Sequence, residues 1–156
     1  MRPLRFLVVL GAALAVGLAA CIPFSGFVYD QRLGGPYRLV AVDSMEDMGV
    51  CRDFPGERGG DCIGDGLPGP TVFAAGIDDH HLVIARVVHE PFMREPSPNE
   101  GAIEYYYVIR APDEAQRFDA DNVIGPLSRS EFLLAKDRLG LPEFSHEFDE
   151  LGRHPS

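Results

Sequence analysis

A chain of 156 residues has room for one domain, and 46% hydrophobic with 24% charged residues places it in the ordinary globular range, which excludes wholesale disorder. Its 17 Gly and 13 Pro, about a fifth of the chain, disfavour a helical bundle and favour short elements joined by turns. A net charge of −10 without a Lys/Arg-rich run excludes a general nucleic-acid binder.

Arg2 and Arg5 precede Phe6–Ala20, a stretch with no charge and many Leu, Val and Ala residues. A short basic region followed by an apolar one and small residues is the layout of a signal peptide. The apolar part enters the bilayer while the arginines stay on the cytoplasmic side. This stretch is shorter than the ~20 residues of a spanning helix, and Pro23, Ser25 and Gly26 interrupt the uncharged residues beyond it. Leu18-Ala19-Ala20-Cys21 resembles the lipobox of bacterial lipoproteins. That resemblance implies cleavage before Cys21, a thioether-linked diacylglycerol on its sulfur and usually an N-linked acyl chain such as palmitate. Ile22 stands where inner-membrane retention signals usually carry Asp, so it further implies an outer-membrane address facing the periplasm. Loss of residues 1–20 removes two arginines and no acid, taking the net charge from −10 to −12. Such a surface repels anionic headgroups, so the domain is expected to hang from its lipid, and a basic partner suits it.

Residues 21–34 read as a lipidated tether, 35–142 as a single globular domain and 143–156 as a polar tail. Tyr37–Val42 alternates as a strand, and Met45–Val50 reads as a weaker return. Cys51 and Cys62 then bracket ten residues dense in Gly, Pro and charge. In an oxidising compartment such a pair reads as a disulfide, and C-x10-C lacks the spacing of redox and most zinc motifs. Thr71–His89 predicts a hairpin turning at Asp78-Asp79-His80, apolar on both faces and therefore central. After the Pro-rich residues 90–102, Ile103–Ile109 alternates well and Val123-Ile124 returns briefly before Gly125-Pro126. Ser128-Arg129-Ser130-Glu131 fits a capping box, with Gly140 and Pro142 ending the helix. Leu133 and Leu134 fall off its apolar face. The expected fold class is α+β: one small antiparallel β-meander sheet of about 5–7 strands with a C-terminal helix packed on it.

The segments VFAAGIDDHHLVIAR, YYYVI and VIGPLSRSEFLLAKDRLGLP resemble the DUF3997 family of small bacterial proteins, often lipoprotein-linked and of unknown function. The resemblance spans residues 36–142 and rests on Arg86, Tyr106-Tyr107, Val108-Ile109, Gly125-Pro126-Leu127 and Glu131-Phe132. Arg110 departs from it, standing where the family pattern tends to carry Asp. It implies a shape and no catalytic residue.

Asp78, Asp79, His80 and His81, with His89 at the far end of the same strand, carry proper metal-ligand chemistry. His81 and His89 nevertheless sit about 26 Å apart at about 3.3 Å per strand residue, too far to share an ion. Asp119-Ala120-Asp121-Asn122 begins like a calcium loop but has Ser130 where the closing Glu belongs. No serine-hydrolase elbow or phosphate-binding loop is present in the sequence. The expectation is a non-enzymatic envelope protein without a cofactor that binds another protein, with Arg58, Phe92 and Tyr106 as surface candidates. A periplasmic inhibitor or immunity protein meeting a basic enzyme is one alternative, and a metal-binding or hydrolytic protein using residues 78–81 is the other.

Overall fold

Alternating side chains on short strands give each sheet two faces, and each apolar face requires a cover. The computed structural model describes residues 26–53, 62–88, 101–113 and 117–152. Among them the elements run β1 (Tyr29–Gly34), β2 (Tyr37–Ala41), β3 (Gly49–Asp53), β4 (Cys62–Ile63), β5 (Val72–Ile77), β6 (His81–Val87), β7 (Ile103–Ile109), β8 (Val123–Leu127), α1 (Arg129–Leu139) and β9 (His146–Glu147). The α+β class holds, with mostly antiparallel strands and one α-helix. The strands form two sheets, ordered β1-β2-β3-β4 and β8-β7-β6-β5-β9, in place of the single meander expected. Period-two alternation identifies strands but not the sheet each one joins, and the turn-rich residues 64–70 are where the chain changes sheet.

The main core lies between the sheets. Tyr37, Leu39 and Ala41 of β2 join Met48 and Val50 in one cluster with Val72, Ala75, Leu82, Ile84, Tyr106 and Val108 of the second sheet. The opposite face of β6 and β7 presents Val83 and Tyr107 to Phe132 and Ala135 of α1 and to Leu141. The β5–β6 hairpin is therefore covered on both sides, as its apolar run requires, and Leu82 through Ala85 are fully buried. The layers are thus sheet, sheet and helix.

The caps of α1 form as its sequence demands. The Ser128 amide donates to the Glu131 carboxylate at 2.8 Å, and the Glu131 amide donates to the Ser128 hydroxyl at 3.3 Å. Gly140 closes the helix in the left-handed region at φ 66°. Only Phe132 and Ala135 of the helix are buried, which accounts for its weak periodicity.

Four boundaries differ from the sequence reading. Tyr29–Gly34 is not tether but strand, in register with β2 from Tyr29↔Ala41 to Gly34↔Tyr37. Met45–Asp47 forms a 3-10 turn, and the strand starts at Gly49 and continues through Asp53. β8 continues past Gly125-Pro126 to Leu127. The polar tail is docked as far as 152. The Ser145 amide donates to Ala75 O at 3.0 Å, the Phe148 amide donates to Phe73 O at 2.8 Å, and Phe144, Phe148 and Leu151 pack against the two cores. Gly76 makes this docking feasible, since a Cβ there would overlap the carbonyl of Glu143.

Candidate functional site

Cys51 of β3 and Cys62 of β4 are joined by a disulfide with a Cα separation of 5.5 Å. It pins the two-residue strand β4 onto β3, where Arg52 pairs with Ile63 and Asp53 with Cys62. Such a short edge strand cannot hold by hydrogen bonds alone. In the chain-entropy account, closing a loop at a sequence separation of 11 stabilises by about 2.5–3 kcal/mol. The Cys51→Ser/Cys62→Ser chain should therefore unfold at lower urea concentration than the parent. The parent in reductant should match it, and a reduced parent with an unchanged midpoint would contradict the prediction.

The same face of the sheet carries charge. Leu39 points into the core, so Arg38 and Val40 point outward with Cys51, the cross-strand partner of Arg38. Arg38 meets Asp30 with two nitrogens, Nε donating at 3.0 Å and Nη2 making the second contact. Its Nη1 donates to Asp53 Oδ1 at 3.2 Å, and the other Asp53 oxygen lies 2.9 Å from Arg32 Nη2. The Arg38 guanidinium also lies over the Phe27 ring at 5.8 Å. Hydrogen bonding to Asp30 raises the Arg38 pKa, burial opposes it, and Asp53 adds to the rise. Both carboxylates are engaged by arginine, so this network holds sheet geometry and offers no reactive base.

A second, half-buried polar cluster lies on the core side of the other sheet. Arg86 and Glu104 are cross-strand partners, with Arg86 Nε donating to Glu104 Oε2 at 3.0 Å, and Tyr106 OH donating to the same oxygen at 2.6 Å. Tyr106, a surface candidate by its sequence, is instead buried, because its strand position points between the sheets and the helix covers the other face. Burial, then the bond to Glu104, pushes its hydroxyl up to about 12 against the pull of Arg86. The folded state thus holds this proton more tightly than the unfolded chain. Stability is predicted to fall between about pH 10 and 12, where the unfolded tyrosine ionises and the folded one resists. The part of that fall due to Tyr106 should be missing from the urea midpoints of Tyr106→Phe.

At the β5–β6 turn, Asp78 Oδ1 accepts the backbone amides of His80 and His81, each at 2.7 Å. Burial opposes its charge, but these two amides and the adjacent rings prevail and hold the Asp78 carboxyl below its ordinary range. The Arg110 amide donates to His80 O at 2.9 Å, and its guanidinium reaches Asp78 O. His81 sets its ring edge against Tyr107, while Asp79 and His80 are exposed. The turn thus commits the Asp78 carboxylate to backbone. Among the described residues no group of three or more His, Cys, Asp or Glu is placed to hold a metal ion. Cys21, Arg58, His89 and Phe92 lie outside the described residues.

Gly66 packs tightly against Phe118 and Ala120, which sets the exposed Asp65 beside the loop carrying exposed Asp119 and Asp121. Arg110 ties the β5–β6 turn, with exposed Asp79, to the segment leaving β7.

No family model, curated protein or solved structure matches this chain. Among the described residues no helix is long and apolar enough to cross a membrane.

Two arrangements lay outside the reach of sequence reasoning. The Arg38 network needs the β1–β2 register before Asp30 and Arg38 become neighbours, and the Arg86–Glu104 pair needs the β6–β7 register. Alternation of Asp30 with Arg32 on an edge strand was the one available hint.

Proposed function

We propose that this chain is a non-enzymatic protein of the bacterial cell envelope, lipid-anchored through Cys21 at the outer membrane and facing the periplasm, which binds another protein. The observation that carries this reading is the Cys51–Cys62 disulfide, because such bonds persist in oxidising compartments and are rare in the cytosol. It accords with the apolar Phe6–Ala20 and the cysteine after it, which give the chain its export and attachment signals. Seven charged side chains of the described domain are engaged in structure: Asp30, Arg32, Arg38 and Asp53 on one sheet, Arg86 and Glu104 on the other, Asp78 on its turn. That distribution supports binding over catalysis.

The test is metabolic labelling with radiolabelled palmitate in a bacterial host. The parent is expected to incorporate label and fractionate with the outer membrane, and Cys21→Ser to do neither. Equal labelling of the two chains would end the envelope reading.

The acidic loops support a second reading, an inhibitor or immunity protein that meets a basic enzyme, and the charge of −10 favours it. The two differ in salt dependence. A partner captured from envelope extract by charge should be lost between low and moderate salt, whereas one held by apolar contact should remain.

A further inference from the structure

Residues 143–152 lie across β5 as a strap, and the strap is lightly held. Its regular pairing is the two-residue β9, with His146 opposite Ala75 and Glu147 opposite Ala74. The Ser145 amide bonds to Ala75 O and the Phe148 amide to Phe73 O, while Phe144, Phe148 and Leu151 pack on the cores but stay half-buried. Beneath the strap, Val72, Ala74 and Ala75 of β5 are buried. With β9 lifted away, β5 becomes the outer strand of its sheet, an apolar edge open to pairing with another strand. Local opening concentrates in a segment held this way, well before the doubly covered β6.

The seat under the strap is shaped to this one sequence. At Gly76 a Cβ would come within 2.0 Å of the Glu143 carbonyl oxygen, so the bare backbone is what admits the strap. Phe132 stacks on Phe144 with ring centroids 5.6 Å apart, and the Tyr29 ring meets Phe148 edge-on at 5.3 Å. The Phe73 ring lies against Gly152, where a Cβ would come within 3.0 Å. Each of these contacts is equally available to the strap of a second copy, whereas a foreign strand must match all four. Leu141 is buried beside Phe132 and stays with the helix, which leaves Pro142 as the joint. The residue before a proline favours extended backbone, so Leu141-Pro142 biases the joint toward carrying the strap outward. Exchange of an identical element across so short a joint is a low-cost route to a dimer. We propose that this chain dimerises by strap exchange, residues 143–152 of each copy lying on β5 of the other. The exchange follows from the fold alone and stands whether or not Cys21 carries a lipid.

Cross-linking of the full chain tests the exchange. Opposed residues on antiparallel strands have Cα atoms about 4.5–5.5 Å apart, inside disulfide range. Ala74→Cys and Glu147→Cys in one chain should therefore close an internal disulfide under mild oxidant. Placed on two co-expressed chains, they meet in register only where the strap of one lies on β5 of the other, and a covalent dimer linked through residues 74 and 147 is expected. Its yield should exceed several-fold that of Glu147→Cys with Val42→Cys, which is exposed on the other sheet. Adding Gly76→Ala to the Ala74→Cys chain blocks the receiving seat and should cut the yield several-fold. The same change in the Glu147→Cys chain blocks that chain's own seat, frees its strap and should not lower the yield. A two-chain yield no higher than the Val42→Cys control overturns the proposal, as does an equal loss from Gly76→Ala in either chain. Absence of the internal disulfide also overturns it, because the register that seats the strap would be wrong. An adduct of the Ala74→Cys chain with a different protein in place of the dimer does so as well, by giving the seat to a foreign strand.

Discussion

Replacing Asp30 and Asp53 together by Asn is expected to lower the unfolding free energy by about 3–5 kcal/mol, as when a buried charge loses its counter-ions. The Arg38 side chain is only 4% exposed, and these two carboxylates are among the groups that hold it on the sheet face. Each single substitution should cost less than half as much, because the guanidinium keeps one carboxylate. The cycle should thus show a coupling well above the few tenths of a kcal/mol found for independent sites. Arg38→Met should cost less than the double change. It removes the buried charge and keeps most of the apolar stem, while Asp53 retains Arg32 and Asp30, 35% exposed, can rehydrate. Urea midpoints of the four variants decide it. Additive single costs, or an Arg38→Met as damaging as the double, would show that the guanidinium does not depend on this pair.

That network also marks where sequence reasoning stops. The elements whose causes are local were legible. The capping box at Ser128 and the left-handed Gly140 bound α1, and the Asp78 turn joins two strands that are apolar throughout. The Cys51–Cys62 bond was expected from the spacing of the pair and the Gly- and Pro-rich residues it brackets, on the expectation of an oxidising compartment. What failed depends on contacts distant in sequence. Tyr29–Gly34 carries Asp, Gln and Arg and resembles a tether, yet its neighbour β2 supplies a ladder that local polarity does not reveal. Residues 143–152 look polar because Phe144, Phe148 and Leu151 are separated by acids, Ser and His, and their burial requires the floor that Gly76 leaves open. Tyr106 fits either face by alternation, and only the position of the second sheet selects the inner one.

The candidate site shows the same division. Residue types at 78–81 suggested a ligand cluster, but a turn closing on two amides absorbs an aspartate without any ion. The leucines that spoil the periodicity of α1, Leu133 and Leu134, are ones that stand exposed. A helix anchored by so few inward residues should be sensitive at them and indifferent outside.

Phe132→Ala is accordingly expected to cost about 3–5 kcal/mol, a large share of the roughly 5–15 kcal/mol that holds a typical domain together. Phe132 is 2% exposed and stacks between Tyr105 and Phe144, with ring centroids 5.1 and 5.6 Å away. Its loss removes one of only two buried side chains on α1 and the surface on which Phe144 rests. The damage should therefore pass along the chain to the docked segment. Amide exchange at Ser145 and Phe148, whose protons bond to β5 carbonyl groups, should accelerate before that of β6. Leu134→Ala, two residues away and facing out, should change stability by less than about 0.5 kcal/mol. The pair thus separates the inward face of the helix, which holds the fold, from the outward face, which does not. Equal losses from the two substitutions, or faster exchange confined to α1, would show that the helix is seated on the sheet by something other than the Phe132 stack.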